Sequence, residues 1–277
     1  TIISWGTTFI STKILLADFQ PVEILFFRFV IGFGALILAC PHGMKGVDRR
    51  QEKVFALAGL CGICLYYLLE NIALTCTLAS NVGVIISAAP FFTAILSRLF
   101  MKSEGKLGPA FFIGFGVAMA GILMISLNGS GPELNPAGDI LALLAAFVWA
   151  CYSILMRKIG DFGYPVILAT RRTFFYGILF MVPALFVFDC KIGAERFADG
   201  TVMSNLLYLG LGASALCFVT WNFAVHVLGA VRTSVYIYMV PVITVVTSAL
   251  VLKEPVTWMS AGGTVLAVAG LFISAKQ

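Results

Sequence analysis

The 277 residues are 60% hydrophobic and only 11% charged, against roughly 45–50% and about 25% in a soluble domain. That excludes a water-soluble globular chain, and apolar runs of about twenty residues, each able to cross a bilayer core of roughly 30 Å, point to an all-α polytopic membrane protein. The net charge of +5 does not call for nucleic acid, because the basic residues fall between the apolar runs, where they orient spans.

Ten transmembrane helices are predicted, at about residues 1–17, 21–40, 54–74, 80–101, 107–127, 138–158, 164–187, 203–225, 230–251 and 257–275. The opening "TIISWGTTFI" has no Met and is already apolar. It reads as the first span of a chain that had a short preceding piece, not as a cleaved leader. The breakers sit where loops are needed, in "CPHGMKGVDRRQEK", "NGSGPELNPAGD", "DCKIGAERFADGT" and "KEPVT". With the N-terminus cytoplasmic, Lys45, Arg49, Arg50, Lys53, Arg98, Lys102, Lys106, Arg157, Lys158, Arg171, Arg172, Arg232 and Lys276 lie inside. Only Lys13, Arg28, Lys191, Arg196 and Lys253 lie outside, together with the acidic "GPEL" loop. This asymmetry places both termini in the cytoplasm of a cell with the protein in its inner membrane. The seven cysteines form no framework. Cys61 and Cys64 share an apolar helix face and read as packing, and Cys190 stands in a polar loop without an evident partner.

The chain is doubled. "WGTTFISTKILLADFQPVEILFFRF" from Trp5 aligns with "WACYSILMRKIGDFGYPVILATRRT" from Trp149, pairing Trp5 with Trp149, Pro21 with Pro165 and Arg28 with Arg172. "ENIALTCTLASNVGVIISAAPFFTAILSRLFMK" aligns with "WNFAVHVLGAVRTSVYIYMVPVITVVTSALVLK", pairing Asn71 with Asn222, Pro90 with Pro241, Ser97 with Ser248 and Lys102 with Lys253. "GFGVAMAG" aligns with "GTVLAVAG", ending on Gly121 and Gly270. Five spans per half is an odd number, so the second half enters the membrane upside down. Inverted repeats of this kind mark secondary transporters with a site between the halves.

Ten spans in two inverted halves, closed by "MVPVITVVTSALVLKEPVTWMSAGGTVLAVAGLFI", resemble the drug/metabolite transporter superfamily, EamA-like branch. The residues that carry the resemblance are Pro241, Glu254, Gly262, Gly263 and Gly270, with a weaker copy at Pro90, Glu104, Gly114 and Gly121. "KSEGKLGPA" departs from the usual loop. The resemblance implies EamA-like repeats over 1–127 and 138–275. Helices one, three, four, six, eight and nine would enclose a central cavity, and five and ten would pack together at one side. It also implies export, while the aromatic rings, amides and single carboxylate of the proposed lining put aromatic or other amino acids first among small amphipathic cargoes moved by alternating access. Cationic drugs or dyes exported in exchange for protons are the alternative cargo, and a passive channel the alternative class. In the small four-helix relatives a glutamate in the first helix couples proton to drug. Here no acid precedes Asp18, which leaves facilitated diffusion open.

Glu70 is the anomaly in "CLYYLLENIALTC". Tyr66 stands one turn before it, Tyr67 and Asn71 form the adjacent stripe, and the matched positions are Cys217, Phe218, Trp221 and Asn222. The candidate lining is Trp5, Tyr66, Tyr67, Glu70, Asn71, Ser87, Trp149, Tyr152, Trp221, Asn222 and Tyr238, with Pro90 and Pro241 as candidate gates. Glu70 has four open roles: binding an ammonium or other cation, exchanging a proton, pairing with Arg28, or snorkelling to water. The apolar glycines suit helix packing, not dinucleotide binding. No catalytic cluster, metal motif or cofactor motif is present. The expected partners are a small-molecule substrate and membrane lipid, and two halves completing one fold fit a functional monomer.

Overall fold

The computed structural model describes residues 1–76, 79–101, 108–126, 136–188, 190, 194–251 and 257–275. Lys102, Glu104, Lys106, the "GPEL" loop, Lys191, Lys253, Glu254 and Lys276 lie outside the described residues, as do the side chains of Lys13 and Ser248. Among the described residues there are ten helical rods and no strand. They are α1 (Ile2–Leu15), α2 (Pro21–Ala39), α3 (49–76), α4 (79–100), α5 (Pro109–Ser126), α6 (Pro136–Gly160), α7 (Val166–Val187), α8 (Gly200–Leu228), α9 (230–251) and α10 (Trp258–Ser274).

The starts of the rods follow from capping. Pro21 opens α2, with the backbone N–H of Gln20 donating to Glu23 Oε2 at 2.9 Å. Asp48 accepts from the backbone N–H groups of Arg50 and Gln51 at 2.7 Å each, so α3 begins at Arg49 and not at the expected residue 54. Hydropathy finds where a helix enters lipid, whereas the cap finds where it starts. Asp199 accepts from Thr201 N–H at 2.7 Å and starts α8 three residues before the expected 203.

Pro21–Ala39, Arg49–Ala73, Pro136–Gly160, Val166–Val187, Gly200–Leu228 and Ala230–Thr247 are long and apolar enough to cross a membrane. Ala89–Phe100, Pro109–Ile125 and Trp258–Ser274 are shorter apolar helices. Leu38, Phe186, Val187 and Leu250 are exposed on the outside, a surface that water would penalise and hydrocarbon accepts. The chain is an all-α membrane protein.

Four rods depart from regular α-helix, and they do so at matched places. Leu60–Leu65 in α3 and Tyr208–Leu216 in α8 are π-helical. Extending the alignment of Glu70 with Trp221 back along both rods matches Gly59 to Gly210. A Cβ at Gly59 would lie 2.6 Å from Thr173 O on α7, and one at Gly210 would lie 2.6 Å from Ile31 Cγ2 on α2. The third rod of the first half thus crosses α7, and its counterpart α8 crosses α2, each at a glycine. α4 breaks between Ala79–Ile86 and Ala89–Phe100, with Pro90 near the start of the second piece. α9 contains a 3-10 turn over Tyr236–Tyr238, immediately before Met239–Val251 with its Pro241. Proline has no N–H to offer the carbonyl four residues back, which is Ile86 or Ile237.

α5 and α10 pack backbone to backbone. A Cβ on Gly121 would lie 2.5 Å from Gly263 O, one on Gly263 2.5 Å from Gly121 O, and one on Gly270 2.6 Å from Gly114 O. Gly114, Gly121, Gly263 and Gly270 are therefore the seam itself, as small residues in lipid allow. Gly116 meets nothing within 4 Å of a Cβ.

Candidate functional site

The centre of the molecule is a group of rings drawn from both halves. Trp5 on α1 lies 5.5 Å from Trp149 on α6 and 5.1 Å from Trp221 on α8, and Trp149 lies 5.7 Å from Trp221, between ring centroids. Tyr66 on α3 approaches Trp149 at 4.8 Å and Tyr67 at 4.8 Å, and Tyr152 lies 5.2 Å from Trp149. Most of these contacts are tilted or edge-on, the geometry that ring quadrupoles favour. Gly62 helps to hold Tyr152, because that ring occupies the space a Cβ would need.

Trp5, Tyr66, Tyr67, Trp149, Tyr152 and Trp221 therefore come together as the sequence suggested. Three further rings complete the group. Phe29 on α2 meets Tyr67, Phe174 and Phe218 at 5.3, 5.1 and 5.7 Å. Phe218 on α8 also meets Trp5 at 5.9 Å, and Phe174 comes from α7. Phe218 had a signal in the sequence, its repeat match to Tyr67. Phe29 and Phe174 had none beyond their neighbours. The ring group thus draws on α2 and α7, while the described residues of α4 and α9, expected as walls, contribute no ring to it. Trp149, Tyr152, Phe218 and Trp221 are buried, while Trp5, Tyr66 and Tyr67 are half-buried.

Polar groups at one end of the cluster are fully used. Tyr152 O–H donates to Asn222 Oδ1 at 2.8 Å, Asn222 Nδ2 donates to Thr170 Oγ1 at 2.9 Å, and Thr170 O–H donates to Val166 O at 2.9 Å. This chain of bonds ties α6, α8 and α7 together and gives Asn222 a structural role. Its repeat partner Asn71 is half-buried and makes no side-chain hydrogen bond among the described residues. Ser87 is buried and donates to Gly83 O at 2.7 Å, at the break in α4. Tyr238 does not join the ring group. It packs with Phe111, Ala118 and Val242 against α5 and α10, and its hydroxyl has no described partner. Tyr238 ends the 3-10 turn that precedes Pro241.

Around Glu70 the polar groups are open. The Tyr66 hydroxyl donates to Glu70 Oε1 at a long 3.5 Å. Arg28 on α2 is buried, donates Nε–H to Ser214 Oγ at 2.8 Å, and lies over the rings of Phe29 and Tyr67 at 5.4 and 5.3 Å. Its charge acts on Glu70, but the described residues hold no ion pair between them. The indole N–H of Trp5 donates to Ala213 O at 3.1 Å. Those of Trp149 and Trp221 are buried with no acceptor among the described residues.

Two clamps brace opposite ends of the molecule. Arg196 holds Glu23 through contacts of 2.9 and 3.3 Å and lies 4.5 Å over Phe19. Arg172 holds Glu52 through 3.0 and 2.7 Å, Tyr176 also donates to Glu52, and Arg171 donates to the carbonyls of Cys40 and His42. A cleft of about 210 Å³ opens beside the second clamp, lined by Phe33, Met44, Leu168, Arg171 and Phe175. Among the described residues no three His, Cys, Asp or Glu side chains are placed to hold a metal ion.

The sequence profile described as the EamA-like transporter family matches residues 1–127 and 136–275. A probable amino-acid metabolite efflux pump of Salmonella typhimurium is 27% identical over 288 residues, covering 99% of this chain and 91% of that protein. A probable terminal-alkyne amino-acid exporter of Streptantibioticus cattleyicolor is 24% identical, covering 99% and 90%. An uncharacterized transporter of Archaeoglobus fulgidus is 25% identical, covering 100% of this chain and 96% of that protein. A solved crystal structure shares the fold with a TM-score of 0.81 at 20% identity, covering 99% of this chain and 95% of that one.

Proposed function

Because the chain belongs to the EamA-like transporter family, and is thus a transporter and not an enzyme, we propose that it exports small amphipathic amino acids, aromatic ones first. The observation that carries the cargo is the ring group. Its members come from both halves, and two buried indole N–H groups within it have no acceptor among the described residues. A carrier that exposes one site to two sides in turn needs that site where its halves meet. Rings there hold an apolar or aromatic side chain by stacking, and the unpaired donors suit a carboxylate. The relatives named for amino-acid export support the same cargo and direction.

The halves work as inverted repeats over 1–127 and 138–275, with both termini in the cytoplasm. The matched π-helical segments, the matched glycine crossings at Gly59 and Gly210, and the matched breaks before Pro90 and Pro241 support this. In this scheme the two proline breaks bend as the halves rock, and the clamps at Glu23–Arg196 and Glu52–Arg172 brace the two ends.

Counterflow in proteoliposomes tests the cargo. Vesicles loaded with unlabelled phenylalanine should accumulate the labelled amino acid saturably. Vesicles that fail with phenylalanine, tyrosine and tryptophan yet move a cationic dye would replace amino acids with drugs as the cargo. Flux that never saturates would make the protein a channel.

A further inference from the structure

Two opposite charges stand in the wall of the ring group, and neither is used up. Arg28 is 6% exposed, yet among the described residues only its Nε finds a hydrogen-bond partner, Ser214. Glu70 accepts only the long bond from Tyr66 among them. Tyr67 lies beneath the guanidinium, Tyr66 lies against the carboxylate, and the two rings are neighbours at 4.8 Å. Arg28 and Glu70 therefore flank one pair of rings, within electrostatic reach of each other but not in contact. A buried pair that serves structure alone gains most by closing into a direct, hydrogen-bonded contact. Among the described residues the two charges make no such contact.

Charge balance then restricts the ligand. A cationic cargo would satisfy Glu70 and leave Arg28 facing it, and an organic anion would do the reverse. A group carrying both charges satisfies both. The N–H groups of Trp149 and Trp221, at 4% and 2% exposure and without described acceptors, add donors beside the same rings.

We propose that Arg28 binds the α-carboxylate and Glu70 the α-ammonium of a zwitterionic amino acid whose side chain seats on the rings of Trp5, Trp149 and Trp221. This rests on the amino-acid reading above and adds the residues that read the headgroup. Arg28 thereby becomes a specificity residue, and the planar guanidinium offers a carboxylate the two-pronged geometry that lysine lacks.

The test is counterflow of labelled phenylalanine in proteoliposomes, competed by phenylalanine, by phenethylamine, which lacks the carboxylate, and by 3-phenylpropionate, which lacks the ammonium. Wild type should prefer phenylalanine to either analogue by about ten- to a hundredfold, the loss expected for one charged hydrogen-bonding partner. Arg28→Gln should abolish the preference over phenethylamine while keeping the preference over 3-phenylpropionate. Glu70→Gln should do the opposite. If wild type carries phenylalanine but accepts both analogues equally well, the headgroup site is overturned without any variant, and the cargo reading survives. If both variants weaken all three ligands alike, the charges serve structure and the proposal fails. If wild type shows no amino-acid counterflow at all, the cargo reading fails and this proposal falls with it.

Discussion

The α5–α10 seam and the aromatic centre are both buried, but they are built in opposite ways. In the seam, glycines bring backbone against backbone, and a single added carbon at Gly121 or Gly263 would overlap a carbonyl. In the centre, the largest side chains in the chain meet tilted or edge-on, and two of their indole N–H groups have no described partner. Lipid gives helices no hydrophobic reason to associate, so the seam depends on close approach, which leaves it no freedom to rearrange. Ring contacts of the central kind persist over a range of tilts and separations. The fold concentrates rigidity at one side and adaptability where a cargo would pass.

Gly263→Leu should have the largest effect. A leucine cannot fit against Gly121 O, and overpacking of this kind costs about 3 kcal/mol or more. The purified variant should lose its monodisperse size-exclusion peak in detergent. A variant that elutes and melts like wild type would show that the seam can open, and the contrast with the centre would be lost.

Asn222→Leu comes next, because it removes the acceptor of Tyr152 and a donor to Thr170 in one step. Leaving a buried hydroxyl unpaired costs about 1–3 kcal/mol, so the thermal midpoint should fall by several degrees. The matched Asn71→Leu should leave the midpoint near that of wild type, since Asn71 has no such bonds among the described residues. Equal losses in the two would mean that Asn71 bears as much of the structure as Asn222 does.

Glu52→Gln tests the ground between the two regions. Its pair with Arg172 is about 30% exposed on each side, so solvent screening limits the loss to about 1 kcal/mol. Chemical denaturation read by circular dichroism would register it. A loss as large as that of Asn222→Leu would place this clamp among the rigid parts.

Trp149→Phe should change stability least, by under about 1 kcal/mol. Removing an N–H that has no described acceptor offsets part of the lost ring area. Aromatic amino-acid flux should nevertheless fall severalfold. Unchanged flux would sever the ring group from transport.

The sequence made the rods legible because a bilayer imposes a length on apolar runs, and each expected span meets a helical rod. It misplaced the start of α3 because "RRQEK" is polar, although Asp48 and Gln51 at capping-box spacing were visible. Spacing marked the apolar glycines for helix packing, and it was the family resemblance that put α5 against α10. The centre was legible where the repeat pointed to it, through Trp5 with Trp149 and Tyr67 with Phe218. Phe29 and Phe174 were hidden among 24 phenylalanines, because nothing local distinguishes a lipid-facing ring from one turned inward at a helix crossing. The repeat also carried too much. It matched Asn71 to Asn222 by position, but it could not report that only Asn222 has Tyr152 and Thr170 beside it. Tyr238 was named for its ring alone, and its place beside a 3-10 turn, packed with Phe111 and Ala118, had no signal in the sequence.

The arrangement of tryptophans has a practical consequence. Three of the four indoles share the centre, and the fourth, Trp258, is 94% exposed at the start of α10. Indoles with centroids 5.1, 5.5 and 5.7 Å apart couple their electronic transitions. The near-ultraviolet circular dichroism of these neighbouring rings should therefore depend on their mutual geometry. A cargo that parts them would rewrite that spectrum, so the unlabelled chain carries its own optical reporter of occupancy.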